Sequence, residues 1–152
     1  MKKILLVAVV MAIVATAGAT MAADTNTLTV TATVVGTCKF NAATSTLNLT
    51  LDPSSAADAT ASTTVTYWCT NGTTAAGVTS DDGIHSVAVG KKQLSDGTNF
   101  IPYSIALTGG NQAGGGPASP KTLTIDGLVL NAAFINAVAG AYSDTVVLTL
   151  TP

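Results

Sequence analysis

The sequence contains no arginine and no glutamate, a single histidine (His85), a single tryptophan (Trp68) and two cysteines. Each shortage closes off a class of function. With Lys2 and Lys3 set aside as part of a leader, four lysines (Lys39, Lys91, Lys92, Lys121) face eight aspartates, a net charge of −4. A polyanion such as nucleic acid would find no basic face to bind. His85 stands between Ile84 and Ser86 beside a turn, with no identifiable nucleophile or orienting acid, so no catalytic triad and no enzymatic activity are expected. It reads as a structural or surface residue. A metal held by the cysteines would need two further ligands nearby. Asp81-Asp82-Gly83 offers two carboxylates without the spaced loop that a calcium ion's six or more oxygens require, and reads as a turn. No cofactor and no metal are implied.

Charged residues make up only 9% of the chain, so its surface is covered by Thr, Ser, Asn and Gly instead. Helix formers are scarce and β-branched residues abundant, and intrinsic preference therefore leans to strands. Residues 1–23 have the three parts of a secretory signal peptide: Lys2 and Lys3, an apolar run from residue 4 to 14, then small residues. Cleavage after Ala19, Ala22 or Ala23 fits, the latter two best. The apolar run is too short to cross a bilayer as a helix, for which about 20 residues are needed, and no later segment comes closer. An exported chain with no membrane span is expected. The mature chain has roughly 130 residues, one domain with room for a real core. In that compartment Cys38 and Cys69 read most simply as one disulfide. Closing their separation of 31 residues would stabilise the fold by roughly 3 to 4 kcal/mol on a chain-entropy estimate.

Period two dominates the rest. Leu28, Val30, Ala32 and Val34 alternate with threonines over residues 25–34, which predicts a strand with one apolar face. Cys38 and Phe40 suggest a second short strand, and Leu47, Leu49 and Leu51 a third, stopped by Asp52-Pro53; a loop to about Ala61 comes next. Residues 63–69 place Val65, Tyr67 and Cys69 on one side, until Asn71-Gly72 turns the chain. Weaker strands are expected over residues 73–80 and around His85, Val87 and Val89. Residues 100–107 form a firm one, with Pro102 near an edge or its start. Residues 109–120, rich in glycine, read as a long mobile loop, and the change of parity about Gly127 as a bulge between Leu123, Ile125 and Leu128, Leu130. Residues 131–138 fit either a helical turn or a strand. The chain closes on residues 144–150, with Val146, Leu148 and Leu150 on one parity. Seven or eight short strands give an all-β sandwich.

These residues resemble the spore coat protein U domain family, similar to the pilin subunits of archaic chaperone-usher pili. The similarity rests on the N-terminal alternating strand leading to Val34-Val35-Gly36-Thr37-Cys38, on Leu51-Asp52-Pro53, on the run from Val65 to Thr73, and above all on the ending from Ala139 to Leu150. Leu49-Thr50 stands where many members have an aromatic-glycine pair, and the last residue is Pro152 rather than an aromatic. The resemblance implies an immunoglobulin-like sandwich lacking its last strand, over residues 36–152. It implies a donor strand over residues 24–35 whose Leu28, Val30, Ala32 and Val34 fill another subunit's groove, lined by Val146, Leu148 and Leu150. The implied partners are identical or related subunits in a homopolymer, a periplasmic chaperone and an outer-membrane usher.

Two readings from the residues alone stay open beside it. The N-terminal strand either serves another copy or is the first strand of its own sandwich. A secreted monomeric module that presents Trp68, Tyr103 or the glycine loop to a glycan or surface is the competing class of function.

Overall fold

The structure, a computed structural model, describes residues 23–152. The expected leader, residues 1–23, falls outside the described residues but for Ala23. The chain divides at Thr33/Val34 into two units. In the first, residues 23–33 form no strand and no helix, and Leu28 and Val30 are 83% and 81% exposed. The strand expected over residues 25–34 thus pairs with nothing among the described residues. Period two says which side chains share a face, and a strand still needs a neighbour for its backbone groups.

The second unit is nearly all β. Its strands are β1 (Cys38–Phe40), β2 (Ala59–Cys69), β3 (Gly77–Ser80), β4 (Lys92–Ser95), β5 (Phe100–Thr108), β6 (Lys121–Val129) and β7 (Leu148–Thr151), with one turn of helix, α1 (Asn131–Phe134). Five strands make an antiparallel sheet in the order β1-β2-β6-β5-β4, and β3 pairs with β7 in a second sheet. This is the expected all-β, immunoglobulin-like sandwich. Its interior holds Val65, Tyr67, Cys69, Leu123 and Ile125 in one cluster and Ile101, Val129 and Phe134 in another. Cys38 and Cys69 lie directly opposite each other in the β1–β2 register and are joined by a disulfide, with a Cα–Cα distance of 4.0 Å.

Several local expectations change. The β2–β6 register runs from Ala59↔Val129 to Tyr67↔Lys121 without a break, so Gly127 makes no bulge. It keeps inward parity and leaves room for a neighbour: a Cβ there would meet Leu47 Cδ2 at 2.6 Å. Strand β2 begins at Ala59, inside the stretch expected to be loop. Residues 85–89 form no strand, only turns and a single bridge from Ala88 to Lys91, and Val87 and Val89 are exposed. The neighbouring β4 has no apolar alternation to announce it, because Leu94 is its one apolar residue and its most buried side chains are Lys92 and Ser95; the Lys92 ammonium donates to the Asp81 carbonyl at 2.6 Å.

The glycine-rich loop is tied down rather than free. The Tyr67 hydroxyl, wholly buried, donates to Gly109 O (2.8 Å) and accepts from Gln112 N (3.0 Å). Gly114 N and Gly116 N donate to Thr73 O and Cys69 O. A Cβ at Gly114 would collide with the Cys69 and Thr70 carbonyls, which explains a glycine at this crossing.

Candidate functional site

The sandwich has a long opening, and two segments of like character border it. The first is residues 45–51. Leu47, Leu49 and Leu51 are half-buried against the two interior clusters, while Thr46, Asn48 and Thr50 point to solvent. This is the alternation of a strand, yet among the described residues the backbone of residues 46–51 meets no hydrogen-bond partner.

The second border is residues 142–150, where even positions are half-buried and odd ones exposed throughout. Its odd-numbered backbone groups are all used on the outer side. Ser143 exchanges two 2.9 Å hydrogen bonds with Ser95, Thr145 O accepts from Ile84 N, and Val147 O accepts from Asp81 N. The remaining amides are taken by side chains: Thr145 N donates to Asp144 Oδ1 (2.9 Å) and Val147 N to Asp81 Oδ1 (2.9 Å). The amides and carbonyls of Asp144 and Val146, which face the opening, meet no partner among the described residues. Each border is therefore a β-edge with its side chains placed and its hydrogen bonds unspent on one side.

Between the edges lie two cavities. The larger, about 600 Å3, is lined by Leu49, Leu51, Leu94, Phe134, Val138 and Tyr142 among others. The smaller, about 210 Å3, is lined by Leu47, Tyr103, Ile105, Ile125, Val146 and Leu148 among others. As the first edge advances from residue 45 to 51, the facing residues of the second run back from 148 to 138, so the two edges are antiparallel. Of the residues expected in the groove, Val146 and Leu148 line the smaller cavity. Leu150 lies further along the same face, packed against the cluster of Val65, Tyr67 and Leu123.

Asp144 borders both cavities, and its side chain is only 1% exposed. Its Oδ1 accepts from Ile84 N (3.0 Å) and His85 N (3.3 Å) as well as Thr145 N, and its Oδ2 accepts from the Tyr103 hydroxyl (2.8 Å). Burial, and then this bond to a carboxylate, push the Tyr103 hydroxyl above the usual tyrosine range. Nδ1 of His85 approaches Asp144 Oδ1 to 3.3 Å without hydrogen-bond alignment. Gly83 is required beside this carboxylate, since a Cβ there would overlap it. Asp144, Tyr103 and Phe134 are not readable as residues of this opening from the sequence, because nothing in a linear pattern shows that they meet. The alternation of Leu47, Leu49 and Leu51 is the available signal for the first edge.

The aromatic platform of the competing reading is not assembled. Tyr67 is interior, Tyr103 faces the smaller cavity with its hydroxyl engaged, and Trp68 is half-buried at a position paired with Lys39. The Asp81 carboxylate is occupied by Gly83 N and Val147 N, which is turn and edge chemistry.

A family model, the Spore Coat Protein U domain, matches residues 24–149. The chain belongs to that family. Spore Coat Protein U domain proteins are structural subunits and not enzymes, in line with the lack of a catalytic constellation in the sequence. Among solved structures, the fold is similar to a chain in the crystal structure of the CsuC-CsuE chaperone-tip adhesion subunit pre-assembly complex, from the archaic chaperone-usher Csu pili of Acinetobacter baumannii. That match has a TM-score of 0.51 at 16% identity and covers 78% of this chain and 40% of the other. The Spore Coat Protein U chain thus spans well under half of that neighbour. No curated protein sequence matches it.

Proposed function

We propose that the protein is a structural subunit of a surface fibre, a pilus or coat, that polymerises by strand donation. In this reading residues 24–35 of one copy enter the groove of the next. Leu28, Val30, Ala32 and Val34 fill the two cavities, and the unspent backbone groups of residues 46–51 and of Asp144 and Val146 take up the donor's main chain. Val146 and Leu148 line the acceptor side, with Leu150 continuing their row. Before assembly a periplasmic chaperone would fill the same groove, and an outer-membrane usher would release the growing fibre at the cell surface. The neighbouring structure is itself named as a chaperone-subunit pre-assembly complex, which agrees with this pathway.

One observation carries the reading: the sandwich has two facing edges with inward leucines or valines and, among the described residues, no strand between them, in a chain that also has an exposed alternating segment. Burial of four apolar side chains on the order of 300 Å2 would contribute roughly 7 to 8 kcal/mol before entropy costs, enough to hold a polymer together with shared hydrogen bonds.

The test is gel electrophoresis of assembled material with and without heating, for the wild type and Val30→Asp, in a background that supplies the native chaperone and usher. A heat-sensitive ladder in the wild type that collapses in Val30→Asp is expected. Monomers from both before heating would overturn strand donation.

A further inference from the structure

The two ends of the groove differ in character. The smaller-cavity end is flanked by exposed Thr44, Ser45, Thr149 and Thr151. The larger-cavity end opens beside the turn after α1, where Ile135 and Val138 are exposed, Val138 by 60%, with Leu130 exposed just before the helix. Ile135 lies in the turn that directly follows α1, and Val138 comes three residues later, beyond the turn. Val138 also lines the larger cavity, and its carbonyl is held by the Tyr142 hydroxyl at 2.9 Å. This apolar collar of Ile135 and Val138 meets the groove at Val138.

A second exposed apolar residue has no role in the donor pattern. Val35, 71% exposed, has the wrong parity to join Leu28, Val30, Ala32 and Val34. It sits at the root of the extension, which is well anchored: Thr37 N donates to Thr70 Oγ1 (3.1 Å), Thr70 N donates to Thr37 O (2.8 Å), and a Cβ at Gly36 would press on Thr73 Oγ1 at 2.7 Å. Seven donor residues at about 3.3 Å each span roughly 23 Å, close to the run of the 142–150 edge. A seated donor must therefore bring its root to one end of the groove or the other.

We propose that Ile135 and Val138 form a second contact between consecutive copies, covering Val35 at the root of the donated strand. The inference rests on strand donation and adds a surface and a polarity to it. With its root at the collar, Val34 enters the larger cavity and Leu28 the smaller, so the donor runs antiparallel to residues 142–150 and parallel to residues 45–51. The partner is a second copy of this chain, because it is the root of that copy that the seated strand delivers to the collar. The other end is flanked by Thr44, Ser45, Thr149 and Thr151 instead.

The experiment uses the full chain throughout. Val30→Asp protein, unable to donate, is titrated with a synthetic peptide of residues 24–34, with and without Ile135→Asp. Separately, wild-type, Ile135→Asp and Val35→Asp polymers are dissociated by heat. Both substituted residues are exposed, so the fold should tolerate them. Peptide affinity is expected to change less than twofold, while the joint between full copies weakens roughly tenfold, so the ladder breaks down at lower temperature. A Val35→Cys/Val138→Cys variant should form disulfide-linked ladders that survive heating, and Val35→Cys/Thr149→Cys should not. No peptide binding at all would sink strand donation itself. Peptide binding together with an unchanged ladder, or cross-linking through Thr149→Cys instead, would overturn the collar and leave strand donation standing.

Discussion

Residues 63–69 and residues 47–51 carry the same kind of sequence and have opposite fates. In the first, Val65, Tyr67 and Cys69 face inward from β2, which is hydrogen-bonded to β1 on one side and β6 on the other. In the second, Leu47, Leu49 and Leu51 face inward equally regularly, and the backbone has no neighbour among the described residues. Alternation is a statement about side chains and one face. Whether the backbone finds a partner depends on the rest of the chain, or on another chain. A place where the first condition is met and the second is not marks where a strand can be added.

The largest effect that could break this comparison comes from truncating one leucine in each region. Leu123, wholly buried opposite Val65, should cost about 4 kcal/mol of stability on change to alanine, since it leaves a cavity in a packed interior. Leu49→Ala, at the border of the groove, should cost about 1 kcal/mol because the side chain already faces open space. Urea denaturation of unassembled protein measures both. Equal losses would mean that residues 47–51 are as tightly held as β2, and that the groove is not a prepared opening.

A smaller effect separates the sandwich's fixed end from its open side. Tyr67→Phe removes a hydroxyl that serves Gly109 O and Gln112 N, stranding two backbone groups, and should cost about 2 kcal/mol. Hydrogen exchange should quicken at residues 112–116 and stay unchanged at residues 46–50. Faster exchange in both places would show that the loop and the groove edge move together.

Much of the fold is legible in the sequence because inward parity survives folding: Val65, Tyr67, Cys69, Leu123 and Ile125 share the parity that the interior takes up. The disulfide follows from compartment and cysteine count. The features that escape a linear reading depend on contacts between segments far apart. Gly127 resembles a parity break because the residue that fills its space, Leu47, lies far back in the chain. Strand β4 is hidden because its inward Lys92 is satisfied by the Asp81 carbonyl, and residues 109–120 look mobile because their anchor is the hydroxyl of a tyrosine on β2. At the site, the alternation of the last strand points to Val146 and Leu148, whereas the buried Asp144 carboxylate and its Tyr103 partner become visible only once β5 and residues 142–150 are brought together.

The smallest effect concerns the joint between the paired sheet and the groove edge, where Ser95 at the end of β4 exchanges its two bonds with Ser143. The turn leading from Ser95 into β5 is held by Asp96, whose carboxylate accepts from Asn99 N (2.6 Å), Thr98 N (2.8 Å) and the Asn99 side chain (2.9 Å). These donors, the Asn99 backbone foremost, lower its pKa to about 2. A carboxylate with a folded pKa below its unfolded value of about 3.9 stabilises the native state above that value, and the contribution is lost as pH falls towards 2. The wild type should therefore lose a small increment of stability between about pH 4 and 2 that Asp96→Ala, already without the turn's acceptor, does not lose. Thermal melts across that window decide it. Parallel curves for the two proteins would mean that the Asp96 carboxylate contributes nothing to the turn, and that the two Ser95–Ser143 bonds hold β4 to the groove edge without its help.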